Sequence, residues 1–188
     1  TVNTSMISAV VIGSALAFVG LSFAPDLLEA VKCPPECFDG AVLYIRIYVA
    51  AAPAMLIYNF GSSVLTASGD TQRPLYYMFF SGIFNIVCNI ILCLVLTEKV
   101  AAVAIATAGS QVLGATLVLW RLFTSNTECK LILREIRFSI KTFGRIMRFG
   151  LPIAISTALY PFATLQIQSA INSYGVSAVS GSTAAVTL

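Results

Sequence analysis

Residues 41–74, AVLYIRIYVAAAPAMLIYNFGSSVLTASGDTQRP, decide the class of fold. From Ala41 to Gly69 the stretch carries one charged side chain, Arg46. This part is longer than the ~20 mostly apolar residues that a helix needs to cross a bilayer. A proline, Pro53, lies in its interior, and polar side chains recur in its second half. The stretch ends in a turn cluster at 69–74, which contains two charges. This pattern is typical of a membrane helix that lines something polar.

The composition of the whole chain agrees with a membrane protein. Of its 188 residues 58% are hydrophobic and 10% are charged, whereas average globular chains have about 25% charged residues. The chain has no histidine and no glycine-rich phosphate-binding or nucleophile motif, so we expect no enzyme, no cofactor and no metal site. The basic residues interleave with apolar ones, which favours a lipid bilayer over a nucleic acid as the partner.

The apolar runs predict an all-α, polytopic transmembrane helix bundle, because a backbone in lipid must satisfy its hydrogen bonds internally. The sequence begins with Thr1 only five residues before the first apolar run, and it ends inside an apolar run. We therefore expect an internal piece of a longer membrane protein that does not transport anything alone. The predicted spans are 6–24, 41–67, 75–96, 100–123, 149–172 and a truncated span that begins near Val176.

Lysine and arginine counts predict the orientation. The linker 121–148 holds seven basic residues and lies on the same side as Arg73 if the spans alternate. The other side has only Lys32 and Lys99, together with Arg46 near its end of a span. Because basic loops stay in the cytoplasm, we expect a multi-pass protein of the plasma membrane, as in the bacterial inner membrane, with the linker inside.

The linker itself, residues 128–149, is predicted to be an amphipathic helix on the inner leaflet. Its basic side chains fall within about 80° of the helix circumference, and large isoleucine, phenylalanine and methionine residues occupy the other faces. The basic positions are Lys130, Arg134, Arg137, Lys141, Arg145 and Arg148. A solvated charged helix is the alternative.

Four of the spans each carry one row of polar side chains, and we expect these rows to meet in a water-filled cavity. The alternative is hydrogen bonding between packed helices. Pro53 and Pro161 either hinge their helices or fix a kink. No Asp, Glu or Lys lies within any predicted span. The candidate residues of a substrate or cation pathway are Tyr58, Asn59, Asn85, Asn89, Thr107, Gln111, Tyr160 and Gln168.

Four patterns taken together resemble the multidrug and toxic compound extrusion (MATE) family. The segment 53–74, with Gly-Asp-Thr at 69–71, is similar to the fourth helix and following loop of that family. The residues 85–89, Asn-Ile-Val-Cys-Asn, resemble its fifth-helix N-x-x-L-D pattern. The residues 103–107 look like the start of its sixth helix, and 150–152 like the opening of its seventh.

The resemblance implies a place for this chain in a twelve-helix transporter with two lobes. Residues 1–127 would be the later part of the N-lobe, 128–149 the cytoplasmic linker, and 150–188 the start of the C-lobe. The family exports cationic or amphipathic compounds in exchange for H⁺ or Na⁺ by rocking its two lobes. We expect a monomer when the protein is full length.

The chain departs from the family pattern at three positions. Thr66 stands where the family often has arginine, and Ala102 where it often has glycine. Asn89 replaces the carboxylate of N-x-x-L-D, which puts a cation site that depends on this carboxylate in question. Two alternatives stay open: a lipid-linked precursor flippase or polysaccharide exporter of the same fold superfamily, and a structural membrane subunit, which needs no polar rows.

The predicted orientation is testable with the cysteines of the chain. A membrane-impermeant maleimide added to intact cells should label Cys33 and Cys37, because their acidic loop is predicted to lie outside. Cys129 should react only after the cells are opened, because it lies in the basic linker. Labelling of Cys129 on intact cells would reverse the orientation.

Overall fold

The computed structural model describes residues 2–124 and 139–187. Over these residues the chain forms helices and no strand, which confirms the predicted all-α class. The helices are α1 (Val2–Ala30), α2 (Pro35–Ala50), α3 (Ala52–Ala67), α4 (Gln72–Val95), α5 (Lys99–Thr124), α6 (Ile140–Asn172) and α7 (Val176–Thr187). Helices α1, α4, α5 and α6 are each long and apolar enough to cross a membrane, and α2 with α3 meets the same criterion when the bent pair is taken together.

Helix α5 is the centre of the bundle. It packs against α2, α3 and α4, while α1 packs against α2 and α3 on the other side. The first half of α5 buries alanines, and its second half buries Val118 and Leu122 completely. Met6 of α1 and Leu65 of α3 complete this apolar cluster. Most large apolar side chains elsewhere are exposed, which is what a surface solvated by lipid tails requires.

Small residues allow the helices to approach closely. A Cβ atom on Gly61 of α3 would overlap Val118 Cγ1 of α5, and a Cβ on Gly13 of α1 would lie 2.6 Å from Pro53 Cα. Association of helices in lipid has little hydrophobic driving force, so close van der Waals packing at such positions has to supply it. The glycines at these contacts therefore belong to the packing of α1, α3 and α5.

The second predicted span, 41–67, is not one straight helix. It is broken at Ala51, where α2 and α3 meet at 44°. Pro53 has no N–H to donate, and its ring clashes with the carbonyl of Val49, so the regular ladder stops there. The Ala51 N–H instead bonds Tyr48 O at 3.1 Å, which tightens the last turn of α2. The close contact with Gly13 holds α1 against this bend.

Other helix limits also differ from those predicted. Helix α1 continues through Pro25 instead of ending before it, because a membrane helix tolerates the loss of one internal hydrogen bond. The connection to α2 is therefore only 31–34. Residues 140–149 are the first turns of α6 and join the predicted fifth span without a break at Pro152. The remainder of the predicted linker helix, including Cys129, lies outside the described residues.

Long-range contacts tie the segments together at both ends of the bundle. At one end, Arg121 in the last turn of α5 lies 3.8 Å from the carboxylate of Asp70, between α3 and α4. At the other end, Asn172 of α6 donates a hydrogen bond to Val31 O at 2.9 Å, just after α1. If the helices alternate in direction across the membrane, Arg121 and Asp70 lie on one side of it, and Asn172 and Val31 lie on the other.

Cys33 and Cys37 are free thiols in this structure. Burial raises the pKa of the Cys33 thiol, and the neighbouring Cys37 raises it further. A higher pKa leaves less thiolate at neutral pH, so Cys33 reacts more slowly with alkylating reagents.

The contact between α3 and α5 gives a test of the packing. Gly61→Ala should destabilise the protein by about 1–3 kcal/mol, because the new methyl group has no room beside Val118. Gly144→Ala is the matched control, since nothing lies within 4 Å of a Cβ there and alanine favours a helix by ~1 kcal/mol. Thermal unfolding in detergent should show a lower midpoint for Gly61→Ala alone. Equal midpoints for the two variants would contradict the packing.

Candidate functional site

A pocket of about 310 Å³ opens between α3, α4 and α5, and we call it the three-helix pocket. Each helix contributes side chains from one face: α3 contributes one tyrosine, and α4 and α5 contribute residues spaced at intervals of three or four. Met78 and Gly82 add apolar surface. The polar side chains that line the pocket are Tyr58, Ser81, Asn85, Thr107, Ser110 and Gln111.

The three-helix pocket exists because α5 has a glycine where the three helices meet. A Cβ on Gly114 would lie 3.0 Å from Ser81 Oγ and 3.1 Å from Tyr58 Cδ2. A larger side chain there would push α3 and α4 away or fill the space between them. The Tyr58 hydroxyl reaches out of the pocket to Pro74 O at 3.4 Å, so the ring is held at both ends.

A one-way chain of hydrogen bonds runs along one wall of the pocket. Asn89 Nδ2 donates to Asn85 Oδ1 at 3.1 Å, because the two residues are one helical turn apart. Asn85 Nδ2 donates to Ser110 Oγ of α5 at 3.5 Å. The Ser110 hydroxyl donates in turn to Thr107 O at 2.8 Å. The chain therefore couples α4 to α5 through neutral groups.

Two oxygens beside this chain have no hydrogen-bond partner among the described residues. Asn89 Oδ1 and Ser81 Oγ are both buried from solvent and unpaired. An amide oxygen can accept two hydrogen bonds or contribute to a cation site, whereas a buried acceptor without a partner is destabilising. The wall at Asn89 can thus accept a donor or a cation from outside the described chain.

The structure brings together four of the eight predicted site residues: Tyr58, Asn85, Thr107 and Gln111 all line the three-helix pocket. Asn89 lies one turn behind Asn85. Asn59 is exposed and does not line this pocket, because one residue along a helix turns the side chain by about 100° from Tyr58.

The other two predicted residues, Tyr160 and Gln168, lie on α6 and away from this pocket. Tyr160 is 81% exposed, and Gln168 donates to Asn172 Oδ1 at 2.8 Å. Within the described residues α6 packs mainly against α7 and α1. The four-helix cavity expected from sequence is therefore a three-helix pocket here, because residues 2–124 and 139–187 place no partner for the polar row of α6 beside it.

The site prediction omitted Ser81 and Ser110, although Ser81 lies four residues before Asn85 and Ser110 three residues after Thr107. Their spacing from Asn85 and Thr107 was the signal that identifies them. A second group, Asp70 with Arg73 and Arg121, depends on a contact between distant segments, which residue spacing along one helix does not reveal.

The fold and the pocket define a polytopic membrane protein with a neutral polar pocket between its helices, and comparison with known proteins agrees. The family model described as MatE matches residues 1–91. A solved structure, titled as the inward-facing conformation of a multidrug resistance MATE family transporter of the MOP superfamily, superposes with a TM-score of 0.71. It is 26% identical in sequence, and the match covers 78% of this chain and 34% of that one.

Two curated relatives are similar over most of the chain. The probable multidrug resistance protein YpnP of Bacillus subtilis (strain 168) is 27% identical over 168 residues, which are 86% of this chain and 36% of the relative. Protein DETOXIFICATION 44, chloroplastic, of Arabidopsis thaliana is 28% identical over 173 residues, which are 85% of this chain and 32% of the relative. The chain thus spans about a third of the length of these relatives. The matched family model, these relatives and the superposed structure all make the chain similar to transporters of the MATE family.

The water content of the three-helix pocket can be tested by cysteine substitution in a cysteine-free background. Thr107→Cys should react with a hydrophilic thiosulfonate reagent in intact membranes, because the pocket admits water and a thiolate forms only there. Ile105→Cys is the control on the same helix, since Ile105 is exposed on the outer surface, where lipid is the solvent. Equal, slow reaction of both cysteines would support packing between helices in place of a wet pocket.

Proposed function

We propose that this protein serves in the export of cationic or amphipathic small molecules by a secondary transporter, with the three-helix pocket as part of the substrate pathway. The chain spans about a third of its relatives, so the proposal concerns the protein together with the remaining helices of such a transporter. Export follows alternating access, in which the pocket faces each side of the membrane in turn, driven by antiport of H⁺ or Na⁺. We expect no enzymatic activity.

The observation that carries this proposal is the chemistry of the pocket wall. The pocket combines apolar surface with neutral amides and hydroxyls, and an amphipathic cation needs both kinds of contact. The unpaired Asn89 Oδ1 is an acceptor that a substrate N–H group could fill. No charged side chain lines this pocket in the described residues, so the substrate is held by several weak contacts that also allow release.

The coupling ion has to interact with groups that the three-helix pocket does not contain. Amides do not titrate near neutral pH, and Asn89 stands where the resembling family has a carboxylate. The Asn89 oxygen can ligate Na⁺ weakly or accept a hydrogen bond from a protonated carboxylic acid elsewhere. We therefore assign Asn89 a positioning role and place the proton- or sodium-binding group outside this pocket.

A flippase for lipid-linked precursors is the alternative, and the charge of the pocket weighs against it. Such substrates carry phosphates, which are recognised by arginine or lysine. The described lining of the three-helix pocket has neither. The neutral pocket therefore favours a cationic or amphipathic substrate. We expect a monomer in the plasma membrane, with residues 68–73 and the basic linker on the cytoplasmic side.

Two substitutions at Asn89 test this assignment in the full-length protein. Asn89→Ala should slow drug efflux while leaving its pH midpoint nearly unchanged, because no titrating group is lost. Asn89→Asp should shift the pH profile, because burial and the neighbouring Asn85 set a new ionisation there. The measurement is the rate of dye or drug efflux from energised vesicles as a function of pH.

Asn59→Ala is the matched control, because Asn59 is an exposed asparagine outside the pocket. Its efflux rate should equal that of the unmodified protein. A shift of a full pH unit in Asn89→Ala would contradict the positioning role and the alignment of this helix face. An unchanged rate and profile in Asn89→Asp would mean that this face of α4 is not on the pathway.

A further inference from the structure

A second cleft, of about 560 Å³, lies at the end of the bundle where α3 ends, α4 begins and α5 ends, and we call it the arginine cleft. It is separate from the three-helix pocket, and the proposed export does not use it. Three charged side chains from two segments line it: Asp70 and Arg73 from the turn into α4, and Arg121 from the last turn of α5.

The backbone fixes the charged groups of the cleft. Helix α3 ends in a Schellman motif, in which Asp70 N bonds Leu65 O at 3.0 Å and Gly69 N bonds Thr66 O at 3.0 Å. This motif requires a left-handed residue, and Gly69 supplies it with φ of 86°. The carboxylate of Asp70 is thereby presented at the start of α4, within reach of both arginines.

Asp70 satisfies only one of the two guanidinium groups. Asp70 Oδ2 accepts a hydrogen bond from Arg73 Nη1 at 2.6 Å. The same oxygen lies 3.8 Å from Arg121 Nε, which is beyond hydrogen-bond distance. Arg121 Nε is buried and has no acceptor among the described residues. Two guanidinium groups against one carboxylate leave one positive charge in excess, with an unfilled donor inside the cleft.

The start of α4 adds to the positive potential. Its N-cap residue, Thr71, makes no side-chain capping bond, and Asp70 Oδ1 reaches only the N–H of Arg73, at 3.4 Å. The first turn of a 24-residue helix carries a partial positive charge that attracts anions, although the Arg73 N–H already meets Asp70 and Pro74 has no N–H to donate. The start of α4 and the guanidinium group of Arg121 therefore favour the same kind of ligand, an oxyanion.

Aromatic side chains place the cleft at the level of lipid headgroups. Tyr76, on the rim, is 56% exposed, and Trp120, beside Arg121, is 64% exposed. Tyrosine and tryptophan with exposed rings concentrate where a membrane protein crosses the headgroup region. An oxyanion at this depth belongs to a phospholipid, whose phosphate enters the cleft while its acyl chains stay in the bilayer.

We propose that the arginine cleft binds the phosphate group of an anionic phospholipid, with Arg121 as the ligand and the start of α4 adding positive potential. The guanidinium of Arg121 offers two parallel N–H groups, which fit two phosphate oxygens. The bound lipid then links the α3–α4 turn to the end of α5 and completes the hydrogen bonding that Asp70 leaves unfilled.

Trp120 supplies the readout, because it is the only tryptophan in these 188 residues and adjoins Arg121. The full-length protein, with any other tryptophans replaced, is inserted in phosphatidylcholine vesicles that contain increasing amounts of brominated phosphatidylglycerol. Bromine quenches a tryptophan it contacts, so quenching should saturate at a low fraction of phosphatidylglycerol. Brominated phosphatidylcholine should quench only in proportion to its abundance.

The variants separate a bound lipid from general attraction of anionic lipid to basic protein. Arg121→Gln should weaken the preference for phosphatidylglycerol about tenfold, as expected for loss of a charge-assisted hydrogen bond. Arg145→Gln removes the same charge from an exposed position on α6 and should leave the preference unchanged. Equal effects of the two variants, or no effect of Arg121→Gln, would overturn the proposal.

Two further arms keep the result decisive. If Arg121→Gln does not insert, as judged by quenching in brominated phosphatidylcholine alone, Arg121→Lys replaces it. Arg121→Lys retains the positive charge without the planar guanidinium group and should lose part of the preference for phosphatidylglycerol. An unchanged preference would overturn the proposal. If millimolar inorganic phosphate abolishes the preference in the unmodified protein, the cleft binds free phosphate and the lipid assignment is wrong. Neither arm measures transport, so the outcome is independent of the proposed export.

Discussion

The close approach of α5 to α3 is the contact on which the rest of the bundle depends. Lipid tails are as apolar as leucine, so helices in a membrane associate through tight packing and not through exclusion of water. Gly61 removes the side chain that would otherwise keep Val118 away, and Gly114 does the same for Tyr58. Because α5 also carries α2 and α4, these two glycines set the spacing from which both the apolar cluster and the three-helix pocket follow.

The direction of hydrogen bonding in the pocket has a simple physical origin. Serine and threonine in a helix donate their hydroxyl hydrogens back to carbonyls three or four residues earlier, as Ser110 does to Thr107 O. The hydroxyl oxygen is then free to accept, and it takes the amide of Asn85. The hydrogen bonds of the wall all run from α4 toward Thr107 O. The acceptor that is left without a donor is therefore the one at the start of the chain, Asn89 Oδ1.

The sequence was sufficient to predict the helices and one wall of the site, and the reason is local. Apolar length reveals a membrane helix, and a period of three or four residues places Asn85 beside Asn89 and Thr107 beside Gln111. The sequence does not predict features that depend on tertiary packing, such as whether a proline breaks its helix. Pro25 leaves α1 intact and Pro53 breaks its span, and no property of the proline itself distinguishes the two cases.

The same limit applies to pairs that come from distant segments. The expected meeting of four polar rows failed for α6, because a polar row does not reveal which helix it faces. Within the described residues α6 packs mainly against α1 and α7. Likewise, Asp70 and Arg121 are 51 positions apart in the sequence, so no pattern along one helix connects them. Their pairing becomes visible only when α3, α4 and α5 are assembled.

In the assembled bundle, the charged arginine cleft and the three-helix pocket are separate sites. Asp70, Arg73 and Arg121 lie at the arginine cleft, whereas the described lining of the three-helix pocket contains no charged side chain. If the pocket binds substrate as proposed, this lining gives it no charged group of its own with which to couple binding to an ion. Under that proposal, coupling has to act through a change of shape or through a titrating group that approaches the unpaired oxygen of Asn89.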